Sequence, residues 1–288
     1  MCGWAVLSVC GICFVCAYMT VLLLCVYVDR AVLCYCICTC SLGKMSKNAG
    51  YDRHISIFSP EGKLYQVEYA IKASKSGGLT TVGIRGSDSV VVASQKKIAD
   101  VLTDPTYVTN IYPITRTIGC IMTGLPADGR SLTIRARQIA ADFHDKNGFE
   151  CTIEWLSKKV ADLGQLYTQH AYMRPYGVTS IFFAIDEIKG PQLYKVDPAG
   201  KFYGCKACAA GTKEEEATTM LEKILKKKPN MSEAETISNT ISCLQTVLGV
   251  DLKSRDVDVA LVSLTNMHVR KLNETEVDDY LNSIAERD

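Results

Sequence analysis

From residue 79 onward, apolar and polar positions along the chain follow two different rhythms. Leu79–Arg85 and Ser89–Gln95 are short runs rich in β-branched residues on either side of Gly86-Ser87-Asp88, which predicts a hairpin. A second pair of strands is expected at Val108–Ile114 and Ile118–Thr123. The period then changes. Ala127–Lys146 and Ile153–Tyr172 read as helices, with Leu132, Ile139 and Phe143 on one face. Strands return at Val178–Asp186, Gln192–Val196 and Lys201–Tyr203, followed by helices at Glu214–Lys227 and Ser232–Leu248. A strand at Val257–Leu264 and a last helix from Glu274 complete the pattern. Helices set between groups of hairpin-linked strands fit a layered α+β domain. The pattern alone does not choose among such layerings.

The stretch ahead of the first hairpin is ordered differently. Ile55, Ile57 and Phe58 form a short extended apolar patch, and Ser59-Pro60-Glu61-Gly62 supplies turn chemistry in which the chain reverses. Leu64, Val67, Ile71 and Ser74 then recur at helical spacing, predicting a short helix with a narrow apolar face that ends at Gly77-Gly78. Such a helix must dock on something.

Charge narrows the choice of partner. Against 32 basic residues stand 31 acidic ones, a net charge of +1, so nothing electrostatic favours nucleic acid or an anionic membrane surface. Partners are then recognised by shape and packing. The four histidines, His54, His144, His170 and His268, are scattered and form no metal-binding pattern, and no phosphate loop or nucleophile elbow is present. Neither a metal nor any other cofactor is expected. Lys226-Lys227-Lys228 reads first as a solvated helix end and second as a nuclear-targeting run. Asn230-Met231-Ser232 and Asn273-Glu274-Thr275 fit the glycosylation pattern and are taken as chance matches.

The first 44 residues differ from the rest. They hold nine of the 14 cysteines, leaving Cys120, Cys151, Cys205, Cys208 and Cys243 to a body that reads as a reducing-compartment protein. Trp4–Val28 is a run of 25 residues without a charge, long enough to cross a bilayer, and Asp29-Arg30 flanks it. Three readings stand: a translated upstream region or gene-model error, a real membrane segment, or a removed targeting peptide. The first is favoured, so residues 1–44 are expected to be absent from the mature protein. Cys10, Cys13 and Cys16 have metal-compatible spacing, and Cys34, Cys36, Cys38 and Cys40 alternate as along a strand. With no His or acidic residue among them, a zinc site is not favoured.

A resemblance sharpens these readings. The Tyr51-Asp52-Arg53 triplet, the Phe58-Ser59-Pro60-Glu61-Gly62 turn and the Tyr65-Gln66-Val67-Glu68-Tyr69-Ala70 helix resemble, nearly letter for letter, the N-terminal signature of proteasome alpha subunits. Arg174-Pro175-Tyr176-Gly177, Asp197-Pro198-Ala199-Gly200 and Lys206-Ala207-Cys208-Ala209-Ala210-Gly211 extend the likeness from Met45 to Asp288, and Met45 stands where the family's chains begin. The resemblance implies a four-layer αββα sandwich of the N-terminal-nucleophile hydrolase type. It divides the chain into the leader 1–44, an N-terminal gate segment with its helix at 45–78, and the sandwich domain at 79–288.

Catalytic subunits of that fold use a Thr freed at the chain terminus and activated by its own amine, an Asp and a Lys. Alignment through Val90-Val91 places Leu79 at the nucleophile position, with Thr80 and Thr81 following; Gln95 stands where the Asp belongs and Asn110, after one inserted residue, where the Lys belongs. The resemblance therefore implies a noncatalytic subunit. It would serve as assembly scaffold, control admission of substrate and dock activators in ATP- and ubiquitin-dependent protein degradation, in cytoplasm and nucleus. The implied partners are other alpha subunits in a seven-membered ring, beta subunits, and a regulatory particle or other activators.

Tyr51, Asp52, Arg53, Pro60 and Tyr69 match gating positions, with Arg53 orienting Asp52 or a neighbour's carboxylate, and the Glu61–Ala73 helix is the leading ring contact. Asn110 matches the lysine that meets an activator's terminal carboxylate. A neutral amide there implies weak tail binding or none. Two alternatives remain: a threonine peptidase cleaved before Thr80 or Thr81, and a membrane-anchored subunit retaining residues 4–28.

Overall fold

The computed structural model describes residues 22–28, 31–37, 54, 56–98, 100 and 102–286. The chain divides into two units, Met1–Ala49 and Gly50–Asp288. In the first, strand β1 (Leu22–Val28) pairs antiparallel with β2 (Ala31–Ile37), Leu22 opposite Ile37 and Val28 opposite Ala31. The end of the uncharged Trp4–Val28 run is therefore strand, and no described helix is long and apolar enough to cross a membrane. Cys34 and Cys36 fall on β2, as their alternation suggested; Cys10, Cys13, Cys16, Cys38 and Cys40 lie outside the described residues.

The second unit begins with helix α1 (Tyr65–Ser76) and the hairpin β3 (Thr80–Arg85) and β4 (Ser89–Gln95). After β5 (Ile111–Pro113) and β6 (Gly119–Gly124) come helices α2 (Pro126–Asn147) and α3 (Ile153–Gln169). Strands β7 (Val178–Asp186), β8 (Gly190–Val196), β9 (Phe202–Gly204) and β10 (Ala207–Gly211) follow, then α4 (Glu214–Lys227) and α5 (Glu233–Leu248). Strands β11 (Val257–Ser263) and β12 (Asn266–Lys271) and helix α6 (Glu274–Ala285) end the chain. The strands form two five-stranded sheets, ordered β10-β3-β4-β11-β12 and β5-β6-β7-β8-β9, with every pairing antiparallel.

Side-chain alternation assigns each strand two jobs. Along β4, Val90 and Val92 point into the core between the sheets while Val91 and Ala93 point outward to the core under α4 and α5. Along β7, Ile181, Phe183 and Ile185 fill the same central core, and Phe182 and Ala184 face α2 and α3. Each sheet is thus covered on both faces, which gives the expected αββα layering.

The sequence pattern misplaced or missed several pieces. Val108 and Thr109 do not join β5, because a 3₁₀ turn at Pro105–Tyr107 delays the strand to Ile111. The third helix stops at Gln169, short of Tyr172. Strand β10 was not foreseen, since Ala207-Cys208-Ala209-Ala210-Gly211 carries no β-branched residue. Strand β12 was missed because it is an exposed edge with polar residues on both faces. Both glycosylation-like sequences lie at helix starts. Ser232 and Asn273 are N-caps whose capping boxes with Glu235 and Glu276 account for their side chains.

Two joints hold the entrance to β7. The Asp128 carboxylate accepts a fork from Arg174, at 2.6 Å and 2.7 Å, and a third bond from the Gly177 backbone N–H at 3.0 Å. Beside it, Gly124 has φ 136° and comes so close that a Cβ would lie 2.2 Å from the Gly177 carbonyl oxygen and 3.0 Å from Ser74 Cα of α1. Gly124→Ala is expected to destabilise the fold by about 3 kcal/mol, combining a backbone clash with a disfavoured φ; urea unfolding measures it, and a neutral result would mean that the joint relaxes freely.

The Arg174 hydrogen bonds, opposed by burial, hold the Asp128 carboxyl below the usual carboxylate range. A pKa lowered by folding stabilises above the unfolded-state value of about 4, and the contribution disappears as pH falls through the folded value. Asp128→Asn should therefore cost about 1–2 kcal/mol near neutral pH, discounted for the exposed guanidinium, and progressively less in acid. Urea unfolding of both chains at about pH 7 and about pH 3 reads the difference. A gap undiminished in acid would exclude the ion pair as its cause.

Candidate functional site

Residues Ser59–Lys63 close a tight turn. The Ser59 N–H donates to the Lys63 carbonyl at 2.9 Å, the Gly62 N–H to the Ser59 carbonyl at 2.8 Å, and the Lys63 N–H to Ser59 Oγ at 3.1 Å. Ser59 is buried and Pro60 exposed at the tip. Because the turn occupies Glu61–Lys63, the helix starts at Tyr65 rather than at Glu61, and it runs to Ser76. Turn chemistry alone does not single out Ser59; a hydroxyl directly before Pro-x-Gly is the available sign that its side chain anchors the turn.

Helix α1 buries Val67, Ala70 and Ser74, with Leu64 and Ile71 half-buried, close to the face its spacing predicted. It packs against β6, β7 and β10. The Thr179 hydroxyl donates to Ser74 Oγ at 3.2 Å, and the Thr212 hydroxyl donates to the Lys75 carbonyl at 2.9 Å. Lys75 Nζ lies 3.0 Å from Glu214 Oε2, and the buried Lys195 bonds the other carboxylate oxygen. Burial pushes the Glu214 carboxyl up, but the bonds from Lys195 and Lys75 outweigh it and leave the group below its ordinary range. The C-terminal end of α1 is thus fixed by one ion pair and two side-chain hydrogen bonds.

The outer side of this element carries exposed apolar side chains among charged ones such as Glu68 and Lys72. Ile57, Phe58 and Tyr69 are 46%, 65% and 46% exposed, and the Tyr69 ring stacks on Tyr65 with centroids 6.5 Å apart. Of the predicted gating residues, Pro60 and Tyr69 therefore belong to one turn-and-helix element. Tyr51, Asp52 and Arg53 lie outside the described residues.

Past α1 lies Leu79, the residue that the sequence alignment set at the nucleophile position. Its backbone carbonyl accepts from the Thr212 N–H at 3.1 Å. Gly211, with φ 108°, approaches so closely that a Cβ would lie 1.9 Å from the Leu79 oxygen, which explains the small residues closing β10. Thr80 and Thr81 are both fully buried. Thr81 Oγ1 lies 3.1 Å from Ser94 Oγ, its partner across the β3–β4 ladder, and the Thr123 hydroxyl donates to Thr81 at 2.9 Å from the other sheet. Asn110 Nδ2 donates to Ser94 Oγ at 3.5 Å. Sequence reasoning named Thr81 and Asn110 but missed Ser94 and Thr123, which only strand pairing and sheet stacking bring to them.

Every group in this chain of bonds is a neutral hydroxyl or amide, so it offers no base to activate an oxygen nucleophile. Gln95 Oε1 is buried without a hydrogen-bond partner among the described residues. The nearby Lys96 instead faces Asp258 at 3.7 Å, a carboxylate that also takes Lys271 at 2.8 Å. The network ties the two sheets together. Among the described residues there is no cluster of His, Cys, Asp or Glu able to hold a metal ion.

Comparison with known proteins agrees with this geometry. Residues 51–73 match the family model for the N-terminal signature of A-type proteasome subunits, and residues 74–262 match the general proteasome-subunit family. The chain is 45% identical over 241 residues to the alpha type-6 proteasome subunit of Caenorhabditis elegans, covering 84% of this chain and 98% of the relative. It is 44% identical over 245 residues to the probable alpha type-1 proteasome subunit of Schizosaccharomyces pombe, covering 85% and 100%. An alpha proteasome subunit of Saccharolobus islandicus is 40% identical over 207 residues, covering 72% and 83%. Asn48-Ala49-Gly50-Tyr51, Gly77-Gly78-Leu79-Thr80 and Ala285-Glu286-Arg287-Asp288 are the stretches on which the sequence reading compares this chain with the type-6 member. With the signature, the sandwich and the neutral hydroxyl network in place, this chain belongs to the proteasome alpha-subunit family, the noncatalytic class of proteasome core subunits.

Proposed function

We propose that this chain occupies one position in the seven-membered alpha ring of the core proteasome, where it scaffolds assembly and gates substrate admission. The carrying observation is the turn-and-helix element, fixed to β7, Thr212 and Glu214 on its inner side while Ile57, Phe58 and Tyr69 remain exposed on its outer side. Large apolar side chains left exposed on a firmly seated turn and helix fit burial against neighbouring subunits. Neighbouring alpha subunits, the beta ring and a regulatory particle or other activator are the partners, in cytoplasm and nucleus. Lys226 and Lys228 pair with Glu222 and Glu235 at the exposed end of α4, which favours the solvated-helix-end reading of the lysine run.

In this reading Tyr51, Asp52, Pro60 and Tyr69 join their equivalents from adjacent subunits when the gate opens, with Arg53 orienting the cluster. Displacement of the exposed Pro60 would move the start of α1, whose far end stays fixed. Asn110 spends an amide hydrogen inward on Ser94 and carries no charge, which supports weak capture of an activator's carboxylate by this chain. The mature subunit begins at Met45 or Ser46. In support, 245 residues of this chain span the whole S. pombe relative.

Three measurements test the reading. Assembled particles carrying Asp52→Ala or Tyr69→Ala should lose about fivefold in activator-stimulated peptide hydrolysis, the equivalent of one hydrogen bond of about 1 kcal/mol in the gate equilibrium, with basal hydrolysis unchanged. Unchanged stimulation would remove these residues from the gate. Thr80→Ala and Thr81→Ala particles should hydrolyse peptides at the wild-type basal rate; a loss would revive the threonine-peptidase alternative. Intact-mass measurement of the subunit in native particles should give a start at Met45 or Ser46, whereas retention of residues 4–28 in a membrane fraction would support the anchored form.

A further inference from the structure

Lys195 and Glu214 meet where the two sheets and α1 come together. On β8, Lys195 shares a strand face with Leu193, which fills the core between the sheets. Its ammonium reaches across to the other sheet. There it donates to the Ala209 carbonyl of β10 at 3.0 Å and to one carboxylate oxygen of Glu214, the first residue of α4. The second Glu214 oxygen lies 3.0 Å from Lys75 Nζ in the last turn of α1. Side-chain exposure rises along this row, from 7% at Lys195 to 24% at Glu214 and 42% at Lys75, so a charge fixed in the interior is linked to a helix at the surface.

Neighbouring charges do not take either place beside Glu214. Asp197 Oδ1 stays 3.9 Å from Lys195 Nζ, beyond hydrogen-bond reach, and Lys213 turns away to donate to the Val247 carbonyl at 2.7 Å, near the end of α5. Burial opposes the charge on Lys195, but the Glu214 bond outweighs it and holds the ammonium above its ordinary pKa. A buried ammonium cannot give up its only bonded carboxylate without leaving a charge uncompensated in the core. Glu214 is thereby held in one orientation, with its other oxygen turned to Lys75.

We propose that Lys195 is a positioning residue for α1, acting through Glu214: it fixes one carboxylate oxygen so that the other captures Lys75. A pair as exposed as Lys75–Glu214 holds little by itself, because two long side chains must be ordered to form it. Lys195 removes half of that ordering cost in advance. Under the gating role proposed above, on which this consequence rests, a push at Pro60 then tilts α1 about a fixed far end instead of sliding the whole helix.

Deuterium exchange of assembled particles, read by mass spectrometry, tests the relay. Glu214→Gln keeps the length of the side chain but replaces one acceptor oxygen by a donating amide, so it cannot accept from both lysines in the same way. Amides of residues 73–76 should exchange at least about fivefold faster in this variant, with α2 and α3 unchanged. Lys195→Met should do the same in the wild-type background and change exchange by less than about twofold in a Lys75→Met background, since the partner it positions is already gone. An equal effect in both backgrounds would make Lys195 a merely structural residue and overturn the proposal. Should Lys195→Met particles fail to assemble, Glu214→Gln decides alone, and unchanged exchange at residues 73–76 overturns the relay. The ratio of activator-stimulated to basal peptide hydrolysis, expected to fall about twofold in Glu214→Gln, separates the two readings. Faster exchange with an unchanged ratio would support the relay and count against the gating role of α1.

Discussion

Two sheets packed face to face leave their central strands no solvated side, and the remaining architecture depends on that burial. Strands β3, β4, β6, β7 and β11 are buried along nearly their whole lengths. Val90, Val92, Ile121, Ile181 and Phe183 fill the space between the sheets, so the opposite faces of the same strands must be covered by other elements. Helices α2 and α3 cover one outer face, and α4 and α5 cover the other. Polar groups inside such a core must satisfy one another, which is the structural role of Thr123, Thr81, Ser94 and Asn110.

That network also explains how a fold used for catalysis can serve as a scaffold. A terminal nucleophile needs a free amine, a charged partner and room for substrate. Here Leu79 continues directly from Gly77-Gly78 and α1, and its carbonyl is engaged by Thr212 under the close approach of Gly211. Gln95 and Asn110, which the sequence alignment set at the charged partners' positions, are neutral amides. What the chain gains is a firmly held turn and helix on which Phe58 and Tyr69 stay exposed.

The sequence was most legible where one period ran unbroken. Strand β7 lies at Val178–Asp186 and α4 at Glu214–Lys227, the limits that their apolar patterns predict. It was least legible where a neighbour defines the element. Strand β10 is built from small residues because Gly211 must meet Leu79, and β12 is a strand because β11 offers it an edge. The start of α1 moved to Tyr65 because hydrogen bonds within the turn consume the preceding residues.

For the site, the Phe58-Ser59-Pro60-Glu61-Gly62 turn, the 65–70 helix and the substitutions at Leu79, Gln95 and Asn110 were readable as residues, because turn chemistry, helical period and the presence of a charge are local properties. They were sufficient to place the chain in its family and to argue against catalysis. The tertiary structure alone decided that Thr123 crosses between sheets to reach Thr81, and that Thr212 and Glu214 hold the end of α1. Each of these depends on strand pairing or sheet stacking that joins residues distant in sequence, and hydrophobic periodicity carries no record of which partner a strand will choose.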